Sequence, residues 1–197
     1  KCFWLTNYLE TISQTVTWLP ITSATSAYRF KKMLNYWAEE TSSCPEFVQW
    51  QGHDFSLRGM SSFESGCVSG AAHLLSFNGT DTIPAIMFLE EHYGADCTKE
   101  LIGGSVPASE HSQEQSYYQE GVDNEDSYID GILTAFPTGV VSIVADGYDY
   151  WKFLSVNLKN FKDRILSRNG KVVCRPDSGD PTRIVCGYFV QELQIDS

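Results

Sequence analysis

The chain has 197 residues, 42% of them apolar and 13% aromatic, enough to bury a core without a disulfide or a structural metal. Its formal charge of −11, from 25 acidic against 14 basic side chains, repels a polyphosphate backbone and argues against nucleic acid as a partner. No apolar run is long enough for a membrane span, and residues 1–6 (KCFWLT) lack the organisation of a signal peptide, so a cytoplasmic protein without membrane contact is expected.

In chain order, residues 17–23 (TWLPITS) read as a strand leading to a helix over 26–40, whose apolar face is Tyr28, Met33, Leu34, Trp37 and Ala38. Lys31 and Lys32 fall on its polar face. A weaker strand over 49–55 leads through Arg58 and Gly59 into a helix over 61–75, where Ser61 and Glu64 fit a capping box and Gly66 and Gly70 permit close packing. Residues 81–93 predict a helix ended by Gly94, and 104–107 a short strand at best. The acidic residues Glu114, Glu120, Asp123, Glu125, Asp126 and Asp130 read as a solvated loop and helix start. Residues 140–145 form the clearest buried strand, stopped by Asp146-Gly147, and 171–174 repeat the pattern before the turn RPDSG. This recurrence of apolar run, polar turn and amphipathic stretch indicates βα units around a largely parallel sheet, in one α/β domain spanning 1–197. The six cysteines have no paired short spacings and read as reduced, several of them in the core. Asn78-Gly79-Thr80 matches a glycosylation triplet that carries no meaning in a reducing compartment.

No P-loop, dinucleotide fingerprint, zincin motif, nucleophile elbow or C-x-x-C is present. What remains are polar segments just after strand ends: His53-Asp54-Phe55 with Arg58, Gly79 to Thr82, Pro107 to Ser112 with His111, Asp146 to Asp149, and Arg175 to Ser178. Strand ends are where α/β sheets gather ligand groups. Taken singly, Asp81 and Asp146 read as helix caps, and His73 and His92 as packing or surface residues. Gathered at one sheet edge, the carboxylates, arginines, histidine and aromatic ring suit a phosphorylated sugar and a planar heterocycle.

The segments 2–7 (CFWLTN), 53–59 (HDFSLRG), 77–82 (FNGTDT), 105–112 (SVPASEHS) and 175–181 (RPDSGDP) together resemble, in order, motifs of the nicotinamide phosphoribosyltransferase family. The resemblance implies an α/β fold, an incomplete irregular βα-barrel of the nicotinamide/nicotinate phosphoribosyltransferase type. It also implies a homodimer with active sites at the subunit interface, Mg²⁺ acting with phosphoribosyl pyrophosphate, and ATP as a coupling substrate. By motif matching, Phe55 stacks on the pyridine ring with Arg175 close to its other side, and Asp81 accepts a hydrogen bond from the carboxamide NH₂. Ser142 lies near the same amide, and Ser105 belongs to the ring pocket. Arg58 faces phosphate or pyrophosphate, Asp146 and Asp177 contact the ribose or the metal region, and His111 matches the histidine that the family phosphorylates with ATP.

The family extends beyond both ends of these 197 residues, with an earlier segment supplying a partner-subunit aromatic and a later half carrying phosphate-binding loops. The barrel is therefore expected to lack strands, and the 197 residues alone are expected to make no measurable nicotinamide mononucleotide. Two other readings stand beside this one: a nicotinate phosphoribosyltransferase, which a carboxylate at Asp81 disfavours by repelling the substrate carboxylate, and a truncated, non-catalytic dimer-forming binding protein.

Overall fold

The computed structural model describes residues 2–118 and 124–187. The chain forms two compact units, Lys1–Ser105 and Val106–Ser197.

The first unit opens with α1 (Phe3–Thr41), a helix of 39 residues. The strand expected at 17–23 is instead the middle of this helix. Its β-branched residues are accommodated because threonine hydroxyls bond back to the preceding turn, Thr17 to the Ser13 carbonyl at 2.7 Å and Thr22 to that of Trp18 at 2.8 Å. Pro20 removes one intrahelical donor without ending the helix. Ala27, Leu34 and Ala38 face inward, against Val48 and Phe77, and Lys31, expected on the polar face, joins them by donating to the Ser76 carbonyl, while Tyr28, Met33 and Trp37 of the expected apolar face are exposed. Farther toward the N-terminus, Phe3, Trp4, Tyr8, Ile12, Val16 and Trp18 are exposed as well.

The strand expected over 49–55 is shorter than the sequence suggests. Pro45 and Glu46 start a 3₁₀ turn, Pro45–Trp50, that buries Val48, and only β1 (His53–Asp54) is extended. Then follow α2 (Phe63–His73), β2 (Gly79–Thr80) and α3 (Ile83–Tyr93). The cap of α2 is Ser62 rather than Ser61, its hydroxyl accepting the Ser65 N–H at 3.1 Å. Gly94, at φ +70°, closes α3 in the left-handed conformation that the sequence anticipated. Helices α2 and α3 meet at Gly70, where an added methyl would lie 2.8 Å from the Ala85 side chain and 2.9 Å from that of Thr82.

The second unit contains α4 (His111–Ser116), α5 (Glu125–Ala135), β3 (Gly139–Val144), a helical stretch from α6 (Tyr150–Lys152) through a π turn (Phe153–Asn157) to α7 (Leu158–Asn160), then α8 (Lys162–Ser167), β4 (Gly170–Arg175) and α9 (Pro181–Cys186). Strands β3 and β4 run parallel with Val141 opposite Val172 and Ile143 opposite Cys174, joined by the intervening helices as a βαβ unit. Tyr128, Ile129 and Leu133 of α5 close over Val141, Ile143, Val144 and Phe153, each large side chain contributing about 1.5–3 kcal/mol of apolar burial.

The acidic run is not a solvated face throughout. Glu114 and Glu125 are buried because they occupy the helix faces turned toward this core, Glu125 one turn before Tyr128 and Ile129. Asp126 accepts from Asn157 and Asn160, each at 2.9 Å, and Asp130 pairs with Arg164. Glu120 and Asp123 lie outside the described residues. The cysteines are free, but only Cys67 is buried and Cys174 partly so; Cys2, Cys44, Cys97 and Cys186 are exposed. Among the described residues, no helix is long and apolar enough to cross a membrane.

Gly70→Val is expected to lower unfolding stability by about 2 kcal/mol through overpacking between α2 and α3. Gly59→Ala, where nothing lies within 4 Å, is expected to stay within about 0.5 kcal/mol. Thermal or urea denaturation of the two variants checks the contrast.

Candidate functional site

In the first unit, β1 and β2 pair in parallel, and Gly79 bridges to Gly104 so that three chain segments point the same way. Their ends deliver Phe55, Asp81 and Ser105 to one edge. Asp81 Oδ1 accepts hydrogen bonds from His53 Nε2, at 2.9 Å, and from the Ser105 hydroxyl. It is not the cap of α3: that position is Thr82, which makes no side-chain cap bond. Gly79 is required by this arrangement, since a side-chain carbon there would fall 2.7 Å from His53 Nδ1.

The Phe55 ring is half exposed and lies 4.5 Å from the His53 ring, tilted by 31°. The turn that presents it is tied by Asp54, whose Oδ1 accepts the Ser56 N–H at 2.8 Å. Burial opposes the charge of Asp54, yet hydrogen bonding from Ser56, with Thr82 and His73 adding to it, holds its carboxyl below the usual range. Arg58 follows on the exposed 3₁₀ turn Leu57–Gly59. His73 is a packing residue as expected, bonded to the Gly79 carbonyl and stacked on Phe77.

The second unit repeats the scheme. Residues Pro107 and Ser109 bracket Ser142 on β3 through two backbone bonds, at 2.9 and 3.0 Å, making a third parallel segment beside β3 and β4. Its edge carries His111, Asp146, Arg175 and Asp177. The largely buried Asp146 carboxylate accepts from His111 Nε2 at 3.0 Å through Oδ1, and from the Asp177 N–H at 2.9 Å and the Ser178 hydroxyl at 2.5 Å through Oδ2. Burial pushes its pKa upward, but the Ser178, His111 and Asp177 hydrogen bonds outweigh that and leave it below normal. Asp146 is therefore a junction between loops and not a helix cap. Asp177, half exposed, has Oδ2 4.0 Å from His111 Nδ1 and 3.9 Å from Arg175 Nη1. Arg175 donates to the Ser109 carbonyl at 3.1 Å. Ser142 is buried in β3.

The residues expected at one sheet edge thus belong to two sheets, one in each unit. His53, Phe55, Asp81 and Ser105 are brought together in the first, and His111, Asp146, Arg175 and Asp177 in the second. Sequence reasoning missed the supports behind them. Ser109 accepts the Val144 N–H at 3.0 Å and pairs with the Tyr128 hydroxyl at 2.5 Å, an arrangement that burial accompanies by pushing the Tyr128 pKa up to about 12. Nothing in the local pattern marks Ser109, whereas Tyr128 falls on the apolar period of α5.

Comparison with known proteins matches residues 50–194 to the nicotinate phosphoribosyltransferase (NAPRTase) family. Among the similar proteins are relatives named nicotinamide phosphoribosyltransferase. The protein from Acinetobacter baylyi is 43% identical over 192 residues, 94% of this chain and 37% of its own length. Those from Mycoplasma pneumoniae and Xanthomonas campestris pv. campestris are 39% and 36% identical, over 93% and 94% of this chain. The chain spans 37% and 39% of the length of these two relatives.

Asp146→Ala leaves the His111, Asp177 and Ser178 donors without their acceptor, and a loss of about 3 kcal/mol in unfolding stability is expected at neutral pH. Because the native pKa of Asp146 is depressed, its stabilisation is present above the unfolded value and disappears as pH falls through the native one. Urea denaturation as a function of pH should therefore show a shallower acid limb, below about pH 4, in the variant than in the parent protein.

Proposed function

The chain belongs to the nicotinate phosphoribosyltransferase family, and we propose that it serves the transfer of a phosphoribosyl group from phosphoribosyl pyrophosphate to the ring nitrogen of nicotinamide, yielding nicotinamide mononucleotide and pyrophosphate. The observation that carries the choice of nicotinamide is the Asp81 carboxylate, held at a strand end by His53 and Ser105 rather than consumed as a helix cap. With Oδ1 engaged, Oδ2 is assigned to the carboxamide N–H, and the half-exposed Phe55 offers its face to the pyridine ring. Ser105 borders the same pocket. The names of the relatives point the same way.

Pyrophosphate leaves C1 of the ribose with oxocarbenium character, so the protein must hold the leaving group and keep the ring nitrogen in line. Arg58 is assigned to phosphate or pyrophosphate. Arg175 is assigned to the ring and Ser142 to the amide of the substrate, while Asp177 is the exposed carboxylate available to the ribose. Asp146, with both oxygens occupied inside the protein, orients His111 and the 177–178 turn. As its acceptor lies at Nε2, His111 carries its proton there and presents the Nδ1 lone pair, which we assign as the site of phosphorylation by ATP.

Among the described residues, no group of three or more His, Cys, Asp or Glu side chains is arranged to hold a metal ion. Mg²⁺ is proposed to arrive with the pyrophosphate, an ion that keeps most of its waters and takes one or two protein carboxylates. Asp177 is the residue that would meet it, and the ion would supply charge neutralisation of the leaving group.

We read the two parallel sheets as parts of the family's irregular βα-barrel, because both bear their polar residues at strand ends. A homodimer is proposed on the exposed aromatic and aliphatic side chains of α1, the type of surface that marks a partner contact. A cytoplasmic location is proposed from the free cysteines.

The family description itself favours a second reading, nicotinate as substrate. Asp81 opposes it, since nicotinate replaces the donor NH₂ with a like charge. The lost hydrogen bond to a charged group amounts to about 1.5–3 kcal/mol before repulsion is added, so the full-length protein is expected to prefer nicotinamide by well over tenfold in kcat/KM. Asp81→Ser is expected to reduce nicotinamide use by roughly tenfold and to increase nicotinate use. Steady-state kinetics with both substrates decide the matter, and an unchanged ratio in the variant would refute the assignment.

A further inference from the structure

The two donors that hold Asp81 differ in how firmly they hold it. Its Oδ1 accepts from His53 Nε2 at 2.9 Å and from the Ser105 hydroxyl, while Oδ2 has no hydrogen-bond partner among the described residues. A carboxylate only accepts, so the His53 proton in this bond stands on Nε2. A serine hydroxyl rotates and can donate or accept, whereas an imidazole N–H points wherever its ring is held.

The His53 ring is held by two neighbours. It crosses Gly79, its partner in the parallel β1–β2 pair, so closely that a side-chain carbon there would fall 2.7 Å from Nδ1 and 3.3 Å from Cγ. Phe55 packs beside it, with ring centres 4.5 Å apart and planes inclined by 31°. The Asp81 backbone is fixed as well, its N–H donating to the Asp54 carbonyl at 2.9 Å. What that bond leaves open is rotation of the Asp81 carboxyl about Cβ–Cγ, a torsion with a broad, shallow preference. A donor that cannot itself turn fixes the angle.

We propose that His53 is a positioning residue that sets substrate choice: its fixed Nε2–H ties down Oδ1 of Asp81 and so aims Oδ2 at the carboxamide of nicotinamide. This rests on the reading of Asp81 as the residue that meets that amide. The amide presents its N–H in a fixed plane, and hydrogen bonds weaken steeply once their angle falls below about 120°. An Asp81 carboxylate left to rotate keeps its charge and still repels nicotinate, but it loses the alignment that nicotinamide uses. Removing His53 therefore has a different signature from removing Asp81: nicotinamide use falls and nicotinate use does not rise. Disturbance of Phe55 cannot produce this signature, because both substrates carry the pyridine ring and would be weakened in proportion.

The test compares kcat/KM for nicotinamide and for nicotinate in the full-length protein and in its His53→Ala, His53→Gln, Asp81→Ser and combined His53→Ala, Asp81→Ser variants. His53→Ala is expected to lower the nicotinamide-to-nicotinate ratio roughly fivefold, less than loss of the carboxylate itself, with nicotinate use no higher than in the parent protein. His53→Gln, whose side-chain N–H reaches about as far as Nε2, should return the ratio to within about twofold of the parent value. With Asp81 already replaced by Ser, removing His53 should change the ratio by less than about twofold, because the two residues act through one contact. Proportionate losses with both substrates, which a purely structural role for His53 would give, overturn the proposal. So does a shift of the same size in the Asp81→Ser background, or a His53→Gln ratio as low as that of His53→Ala. If His53→Ala does not fold, His53→Leu, which keeps a side chain across Gly79 without the donor, is read by the same criteria. A ratio that shifts in Asp81→Ser but not in His53→Ala defeats this proposal alone, whereas one unchanged in Asp81→Ser defeats the Asp81 assignment on which it rests.

Discussion

The second unit depends on a single buried carboxylate. Asp146 gathers a histidine from one strand end and a backbone N–H and a hydroxyl from another, each donor more than thirty residues from it in sequence. Parallel pairing makes this possible, because β3, β4 and the segment through Ala108 all finish on the same side. The apolar packing of Val141, Ile143 and Val144 against α5 fixes where β3 ends, and so where Asp146 stands. Its charge survives burial because its oxygens are occupied by donors, the condition under which a buried anion is tolerated.

The first unit uses the same device with different chemistry. Asp81 follows β2 and receives donors from His53 on β1 and Ser105 beyond the third segment, while remaining open enough to meet a ligand. The two carboxylates therefore divide the labour of the proposed reaction. In that proposal Asp81 is assigned to the heterocycle's amide, and Asp146 to the orientation of the His111 ring.

β3 and β4 were legible as strands from their β-branched runs, but burial was legible only in part: β3 is buried over residues 141–144, whereas no residue of β4 is fully buried. Helix α3 and its Gly94 terminus were legible for the same local reason. Residues 17–23 were not: their β-branched composition suggested a strand, while hydroxyl back-bonds and the continuity of a 39-residue helix prevailed. At the site, the polar residues at strand ends were visible, but their roles as caps or junctions were not. Whether Asp81 bonds a helix N–H or the His53 ring depends on residues 28 positions away, and the burial of Glu114 and Glu125 depends on which helix face meets the core. Composition records only that they are acidic.

In the proposed reaction Asp146 holds the His111 proton on Nε2 and leaves Nδ1 unprotonated. Long-range ¹H–¹⁵N correlation spectra of the full-length protein labelled at histidine nitrogens, with His111 assigned by its loss in His111→Gln, measure this directly. At a pH where the ring is neutral, the account predicts a protonated, pyrrole-type shift at Nε2 and an unprotonated, pyridine-type shift at Nδ1. A proton on Nδ1, or shifts averaged between the two tautomers, would contradict it.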